Sequence, residues 1–406
     1  MLRFRSAAAI QMAGSMARLA SLFLVGRWIA ATLGPTGVAT MGQVQNLVGL
    51  ASALGVQALQ SGFQQGSARR ASHRARLEWR SSGILLGSLL VFVGSVGVSV
   101  AWALDLVALP FRGRWWIPFL PLLILPNVWI SAWQGQTLGR SQWMRASLWN
   151  ALSGILQALI WGVAVALWGL AGLVGAILAQ SAILLPFAAG FFTETGIRRP
   201  RRITAWWKAW LPLLVAGATP SITVPLSGIV IRTLLLRDGW EGAGIWQAAT
   251  RITELLYPIW NGVVGAWVLS QVAASRGNGR GLEVSILLKA LAGTAAISLV
   301  LSIGASPLLH LAWGEGFEQA IPILRLQALA ELPRTLVWIL SAALLGRSRA
   351  GAVVFLEVVG FALLCTGTYL LHGRFGLVSP ALASLLENLA CLVLASLLWI
   401  RERKRS

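Results

Sequence analysis

The sequence predicts an all-α integral membrane protein of about twelve transmembrane helices, arranged as two six-helix lobes around a central cavity. Three observations predict it. Hydrophobic residues make up 57% of the 406-residue chain and charged residues only 11%, where soluble proteins carry about 25% charged residues. Breaks rich in charge or turn residues divide the chain into apolar runs of roughly the 20 residues a helix needs to cross the hydrocarbon core. The basic residues are also unevenly shared between alternate breaks.

In order, the runs are 10–33, 38–62, 81–103, 116–138, 147–168, 170–192, 209–234, 243–272, 284–306, 319–345, 351–371 and 376–400. The fifth and sixth are separated only at Leu167-Trp168-Gly169-Leu170. Met1-Leu2-Arg3-Phe4-Arg5 lacks the short apolar region and small-residue cleavage site of a signal peptide, so it reads as a cytoplasmic lead into the first span. Of the basic residues in the breaks, 23 fall on one side, among them Arg69, Arg70, Arg198, Arg199, Arg201, Arg202 and Arg401. The opposite side holds Arg112, Arg114, Arg237 and Arg374. This split places both termini in the cytoplasm. The break Arg198-Arg199-Pro200-Arg201-Arg202 lies near half-length and divides the chain into lobes 1–200 and 201–406. A weak internal echo links Leu33-Gly34-Pro35-Thr36-Gly37 and Gln43 with Arg237-Asp238-Gly239-Trp240-Glu241-Gly242 and Gln247. Six spans per repeat would make two repeats parallel.

Several function classes are excluded. A nucleic-acid partner would explain the net charge of +20 but not the hydrophobicity. Cys365 and Cys391 lie inside apolar runs, which argues against a disulfide framework or a cysteine metal site. His73, His310 and His372 have no ligand partner at useful spacing, so no metal, cofactor or catalytic residue is expected. The predicted external loops, of roughly 5–15 residues, leave no room for a catalytic domain, and the chain is expected not to be an enzyme.

The informative residues are those at membrane depth, where a charge costs roughly 2.5–3.5 kcal/mol and therefore faces a partner or a cavity. They are Arg18, Arg27, Arg232, Arg251, Arg325 and Arg334, with Glu254, Glu331, Glu357 and Glu387. In the eighth span, Gln247, Arg251, Glu254 and Asn261 share one helix face. In the tenth, Gln327, Glu331 and Arg334 do the same. Each stripe sets a glutamate three residues from an arginine, close enough to pair. A structural ion pair and a hydrated interior both fit this spacing, and Arg232 and Arg325, near span ends, also fit simple snorkelling. The second span carries Gln43, Asn46, Gln57, Gln60 and Gln64 on one face. Asn127 and Gln134 follow in the fourth span, and Asn150 and Gln157 in the fifth. Amides hold helices together and also suit sugar hydroxyls and N-acetyl groups, whereas interior arginine suits phosphate. Many of the 21 tryptophans sit near span ends, as an aromatic belt does. Trp246, Trp260, Trp267 and Trp338 lie deeper, where helix packing or stacking on sugar rings would use them.

Three stretches resemble a known family. Gly26-Arg27-Trp28-Ile29-Ala30 through Leu33-Gly34-Pro35-Thr36-Gly37, then Gln43 to Gly55, is similar to the first two helices of bacterial oligosaccharide-lipid flippases. Ala243-Gly244-Ile245-Trp246-Gln247-Ala248-Ala249-Thr250-Arg251-Ile252-Thr253-Glu254 resembles the eighth helix of the Wzx-type translocases of O-antigen and enterobacterial common antigen. Phe317 to Gly346, with Gln327 and Arg334, resembles their tenth helix. These proteins form the polysaccharide branch of the multidrug/oligosaccharidyl-lipid/polysaccharide (MOP) exporter superfamily, which includes the multidrug MATE transporters. The motifs cover about a fifth of the chain, while length and topology agree throughout. The abundance of arginine over lysine, and of tryptophan, departs from the pattern.

The resemblance implies a flippase in the bacterial inner membrane. It would move an undecaprenyl-pyrophosphate-linked oligosaccharide, such as an O-antigen, common-antigen or exopolysaccharide repeat unit, from the cytoplasmic to the periplasmic leaflet by alternating access. Membrane lipids, and a glycan polymerase and chain-length regulator, would be its partners. On this reading Arg27, Arg251 and Arg334, with Arg18, Arg232 and Arg325 at the rim, bind pyrophosphate. Gln43, Asn46, Gln57, Gln60, Asn127, Gln134, Gln247, Asn261 and Gln327 contact the glycan. Glu254, Glu331 and Glu387 couple transport to an ion or proton gradient. The alternatives are a multidrug or lipid II exporter of the same superfamily and, from another class, a membrane glycan polymerase or ligase.

Overall fold

The computed structural model describes residues 2–57, 59, 63, 73–104, 117–140, 142–192, 203–254, 280–346 and 349–403. All regular structure among them is helical. The elements are α1 (Leu2–Ser52), running into a π turn at Ala53–Gln57, and α2 (His73–Ala103). After a 3₁₀ turn at Ile117–Phe119 come α3 (Leu120–Ile124), α4 (Pro126–Gly139), α5 (Trp143–Phe191) and α6 (Ile203–Leu235). The turn Leu236–Asp238 leads into α7 (Gly239–Glu254). Then follow α8 (Arg280–Ile303), α9 (Ala305–Trp313), α10 (Ala320–Gly346) and α11 (Ala350–Phe375), and the turn Gly376–Val378 opens α12 (Ser379–Arg403).

Among the described residues, five helical stretches are long and apolar enough to cross a membrane, or six if a bent pair counts as one span. Four of them, Ala13–Val56, Trp143–Phe191, Thr219–Glu254 and Ala350–Arg401, run to 44, 49, 36 and 52 residues, about twice what one crossing needs. Each contains a glycine turn. Gly34 sits at φ 64°, ψ −163° and Gly169 at φ 55°, ψ −134°, in or beside a region that only glycine occupies without strain. A Cβ at either position would meet nothing within 4 Å, so backbone conformation rather than space demands glycine. Gly239 and Gly376 turn the other two stretches with the same sign of φ. Each long stretch is therefore broken by its glycine into two helical runs, counted here as two spans. With α2, the segment 117–139, the α8–α9 pair and α10, the described chain follows the twelve expected spans in order.

One expected loop is helical instead. Residues after 306 were expected to leave the ninth span, but α9 continues to Trp313, bent 72° from the preceding helix. Its Pro307 falls in the first turn, where a missing N–H costs no hydrogen bond. Beyond α9, the carboxylate of Glu318 accepts from its own backbone amide and from that of Gly316, which holds it below the usual carboxylate range.

The chain forms two compact units: residues 1–25 with 40–229, and residues 26–39 with 230–406. In the first, α5 packs against α3 and α4, and the π turn packs on α2. Gly55 and Gly87 permit that approach, because a Cβ at Gly87 would stand 2.6 Å from the Gly55 carbonyl oxygen. In the second unit α10 is the hub, contacting α7, α8, α9, α11 and α12. Two prolines mark its course. Pro322 lies in the first turn, and Pro333 in the helix interior removes the amide that would bond the Leu329 carbonyl.

Alanine at two glycines separates backbone demand from helix propensity. Gly169→Ala should lower unfolding free energy by about 1–2 kcal/mol. Gly97→Ala, inside α2 with no atom within 4 Å of the new Cβ, should raise it by up to about 1 kcal/mol. Thermal unfolding of the two variants in one detergent reads both signs.

Candidate functional site

The second unit gathers most of the charge expected at membrane depth. On α7, Arg251 Nη1 donates to Glu254 Oε2 at 2.8 Å. On α10, Arg334 Nη1 donates to Glu331 Oε1 at 2.7 Å. Gln327 Nε2 donates to Thr250 Oγ1 at 2.9 Å, which sets these residues of α10 and α7 level with each other. One helical turn further along each helix stand Glu331 and Glu254, and the two carboxylates interact electrostatically. Two arginine–glutamate pairs thus lie side by side on neighbouring helices. They differ in burial: side-chain exposures are 28% and 32% for Arg251 and Glu254, but 22% and 2% for Arg334 and Glu331. Thr335 Oγ1 donates to the Glu331 carbonyl and accepts from Thr294 of α8, tying the same turn of α10 to a third helix.

Arg232, at the end of α6, is buried beside this group. Its Nε donates to Gln247 Oε1 at 2.9 Å, Nη2 donates to the same oxygen, and the guanidinium lies 5.5 Å over the ring of Trp246. Arg251 and Glu254 both act on it electrostatically. Gln247, expected to contact glycan, here orients a guanidinium, and Trp246 is its platform. Glu387 of α12 lies within electrostatic reach of Arg334, Glu331 and Glu357. Its Oε1 is 3.6 Å from Cys391 Sγ.

The remaining arginines lie elsewhere. Arg27 is exposed and donates to the Leu311 carbonyl in the last turn of α9, while Trp313 Nε1 donates to the Ala248 carbonyl at 3.1 Å. Arg325 is exposed and donates to Ser302 at the end of α8, at 3.2 Å. Both act as side-chain caps on helix C-termini. Arg18 belongs to the first unit, where its aliphatic stem packs over Gly154.

Amides dominate the first unit. Gln134 donates to Asn150 at 2.8 Å, and Trp161 Nε1 donates to Gln180 at 3.1 Å. Gln43 is fully buried, whereas Asn46 and Asn127 are half-buried. Gln60, Asn261 and the side chain of Gln57 lie outside the described residues, as do Trp260 and Trp267.

Sequence reasoning missed Arg80, which positive-inside counting assigned to a loop. It is 2% exposed, sits in the second turn of α2 and donates to Gln136 Oε1. Beside it Trp79 stacks on Trp210 at 4.1 Å, and Trp210 Nε1 donates to Ser82 at 3.2 Å. The small residues Ser81-Ser82-Gly83 after Arg80 were the available signal for close packing there.

No protein-family model matches the sequence, and no curated protein does. Solved structures match in fold. A multidrug resistance MATE family transporter of the MOP superfamily, inward-facing, has a TM-score of 0.76 at 16% identity, covering 98% of this chain and 99% of that one. A MOP superfamily transporter from Pyrococcus furiosus, described by a binding pocket of reverse polarity that suggests a different function, has a TM-score of 0.70 at 16% identity, covering 98% and 95%. The lipid II flippase MurJ, in an inward closed conformation, has 0.70 at 14% identity, covering 97% and 87%. The chain has the fold of these transporters.

The Arg334–Glu331 pair should carry stability in an asymmetric way. Arg334→Leu alone leaves a buried carboxylate without its cation and should cost roughly 3–5 kcal/mol; adding Glu331→Gln should restore most of that. Unfolding of single and double variants in the same detergent measures the difference.

Proposed function

We propose that the chain is a membrane transporter that flips an undecaprenyl-pyrophosphate-linked oligosaccharide between leaflets of the bacterial plasma membrane, with both termini cytoplasmic. The observation that carries this reading is the pair of arginine–glutamate contacts on α7 and α10, within the two stretches of the C-terminal half that resemble oligosaccharide-lipid flippases. Inside a bilayer a pyrophosphate requires cations with several donors, and guanidinium offers two parallel N–H bonds to phosphate oxygens. Arg251 and Arg334 keep a quarter or so of their side chains accessible, so they can meet a ligand. Arg232 supports them from a buried position. Binding would exchange each glutamate for a phosphate on its guanidinium, which ties cargo to the ionic state of Glu254 and Glu331. Glu387, in reach of Arg334 and Glu331, belongs to the same coupling group. The amides of the first unit, Gln43, Asn46, Asn127 and Gln134, would receive the sugars, and a glycan polymerase with its chain-length regulator would take the product.

A second reading rests on one observation. In the second unit Glu254, Glu331, Glu357 and Glu387 stand with Arg232, Arg251 and Arg334, so acid and base are close to balance there, which suits export of a cationic compound.

The two readings part on arginine. In proteoliposomes, Arg251→Gln and the double variant Glu331→Gln/Arg334→Gln should slow flipping of a polyprenyl-pyrophosphate oligosaccharide by roughly ten- to a hundredfold, the worth of a charge-assisted hydrogen bond. Unchanged flipping at equal protein content would contradict the flippase. Glu254→Gln should flatten the dependence of flipping on the pH gradient, and an unaltered dependence would remove Glu254 from coupling.

A further inference from the structure

At one end of the second unit, the turn Leu236–Asp238 meets the end of α11 and the turn Gly376–Val378. His372 Nε2 lies 3.5 Å from Asp238 Oδ2, with side-chain exposures of 11% and 37%. That separation is long for a hydrogen bond but well within reach of charge attraction, so the contact depends on whether the imidazole is charged. Beside it the Arg237 guanidinium lies 5.6 Å over the ring of Tyr369. Gly242 of α7 faces Leu377 so closely that a Cβ would stand 2.7 Å from its Cδ2. The Gly376–Val378 turn also packs against α7 and α10, the two helices that carry the arginine–glutamate pairs. His372 Nδ1 is buried with no hydrogen-bond partner among the described residues, so the ring's charged contact is the one that Nε2 makes with Asp238.

We propose that Asp238 and His372 form a proton-operated clasp, closed when the imidazole is charged, that fixes the α6–α7 turn to the end of α11. The carboxylate of Asp238 and the C-terminus of α11, in whose last turn His372 lies, both attract an imidazolium. Arg237, next to Asp238, and Arg374, in the same last turn of α11, oppose it, Glu241 stands in the first turn of α7, and the first turn of α12 brings no acid. Histidine changes charge between about pH 5 and pH 8, so the clasp closes on the acid side of that range and opens as pH rises. The charge pattern of the breaks predicts that these turns face the cell exterior, where acidity would then stiffen the end of α7. The inference is independent of the cargo.

Backbone hydrogen exchange of the full-length protein in detergent tests it. Protection factors, which remove the intrinsic pH dependence of exchange, are compared at about pH 5 and about pH 8. In the wild type, peptides spanning 236–242 and 372–380 should gain about threefold protection at the lower pH, the scale of a partly exposed ion pair. Asp238→Asn and His372→Asn should abolish that gain, and Arg374→Gln should keep it. The charge exchange Asp238→His with His372→Asp should recover it, which separates a lost clasp from a damaged fold. A wild type without the gain, single variants that retain it, or an Arg374→Gln variant that loses it would overturn the proposal.

Discussion

The second unit depends on one constraint: charge inside a membrane must be paired where it stands. Glu331 is almost fully buried, and its carboxylate is tolerable only because Arg334, one turn on, bonds it. Those two residues lie on α10, which contacts five other helices of the unit. The hub of the packing is thus also the carrier of the buried charge. The neighbours conform to it: Thr294 reaches Thr335 on the turn after Glu331, Thr250 accepts from Gln327 on the turn before, and α7 presents a matching pair at the same height. Pro333 falls between the paired residues and frees a carbonyl in the same turn. The helix is therefore least regular where its charge is concentrated.

The first unit meets the same constraint differently. Its interior polarity is mostly neutral, and several amides bond to one another or to an indole. Arg80 departs from this among the described residues: it is buried, bonded to Gln136, and next in sequence to Trp79, which stacks on Trp210. A cargo with a charged and a sugar part would find these two chemistries in different units. Arg27 and Arg325 cap helix ends, and Arg18 packs over Gly154 within the first unit. The local balance is closer to neutral.

Features with a short sequence period were legible before any coordinates. The spans emerge from runs of apolar residues, and the glycine turns between them from single breaks such as Leu167-Trp168-Gly169-Leu170. The stripes on α7 and α10 follow from helical spacing alone. What joins elements was not legible. Gln247 reaches Arg232 across the Leu236–Asp238 turn, so a residue that spacing offered to a glycan is engaged by a cation from the preceding helix. His372 and Asp238 are far apart in sequence, and no local pattern pairs them. Arg80 was misplaced because positive-inside counting treats every arginine at a span end as a loop residue. Helix α9 was missed because the ninth apolar run was ended at residue 306, although Pro307 is at ease in a first helical turn.

The flippase proposal requires that paired arginines on α7 and α10 receive an anionic lipid-linked head group. Native mass spectrometry of the full-length protein in detergent tests it most directly, with a polyprenyl-pyrophosphate oligosaccharide and a hydrophobic organic cation offered in competition. A one-to-one complex with the pyrophosphate lipid is expected, weakened when Arg251 is replaced by glutamine. A complex with the cation that survives excess lipid and is indifferent to Arg251 would contradict it.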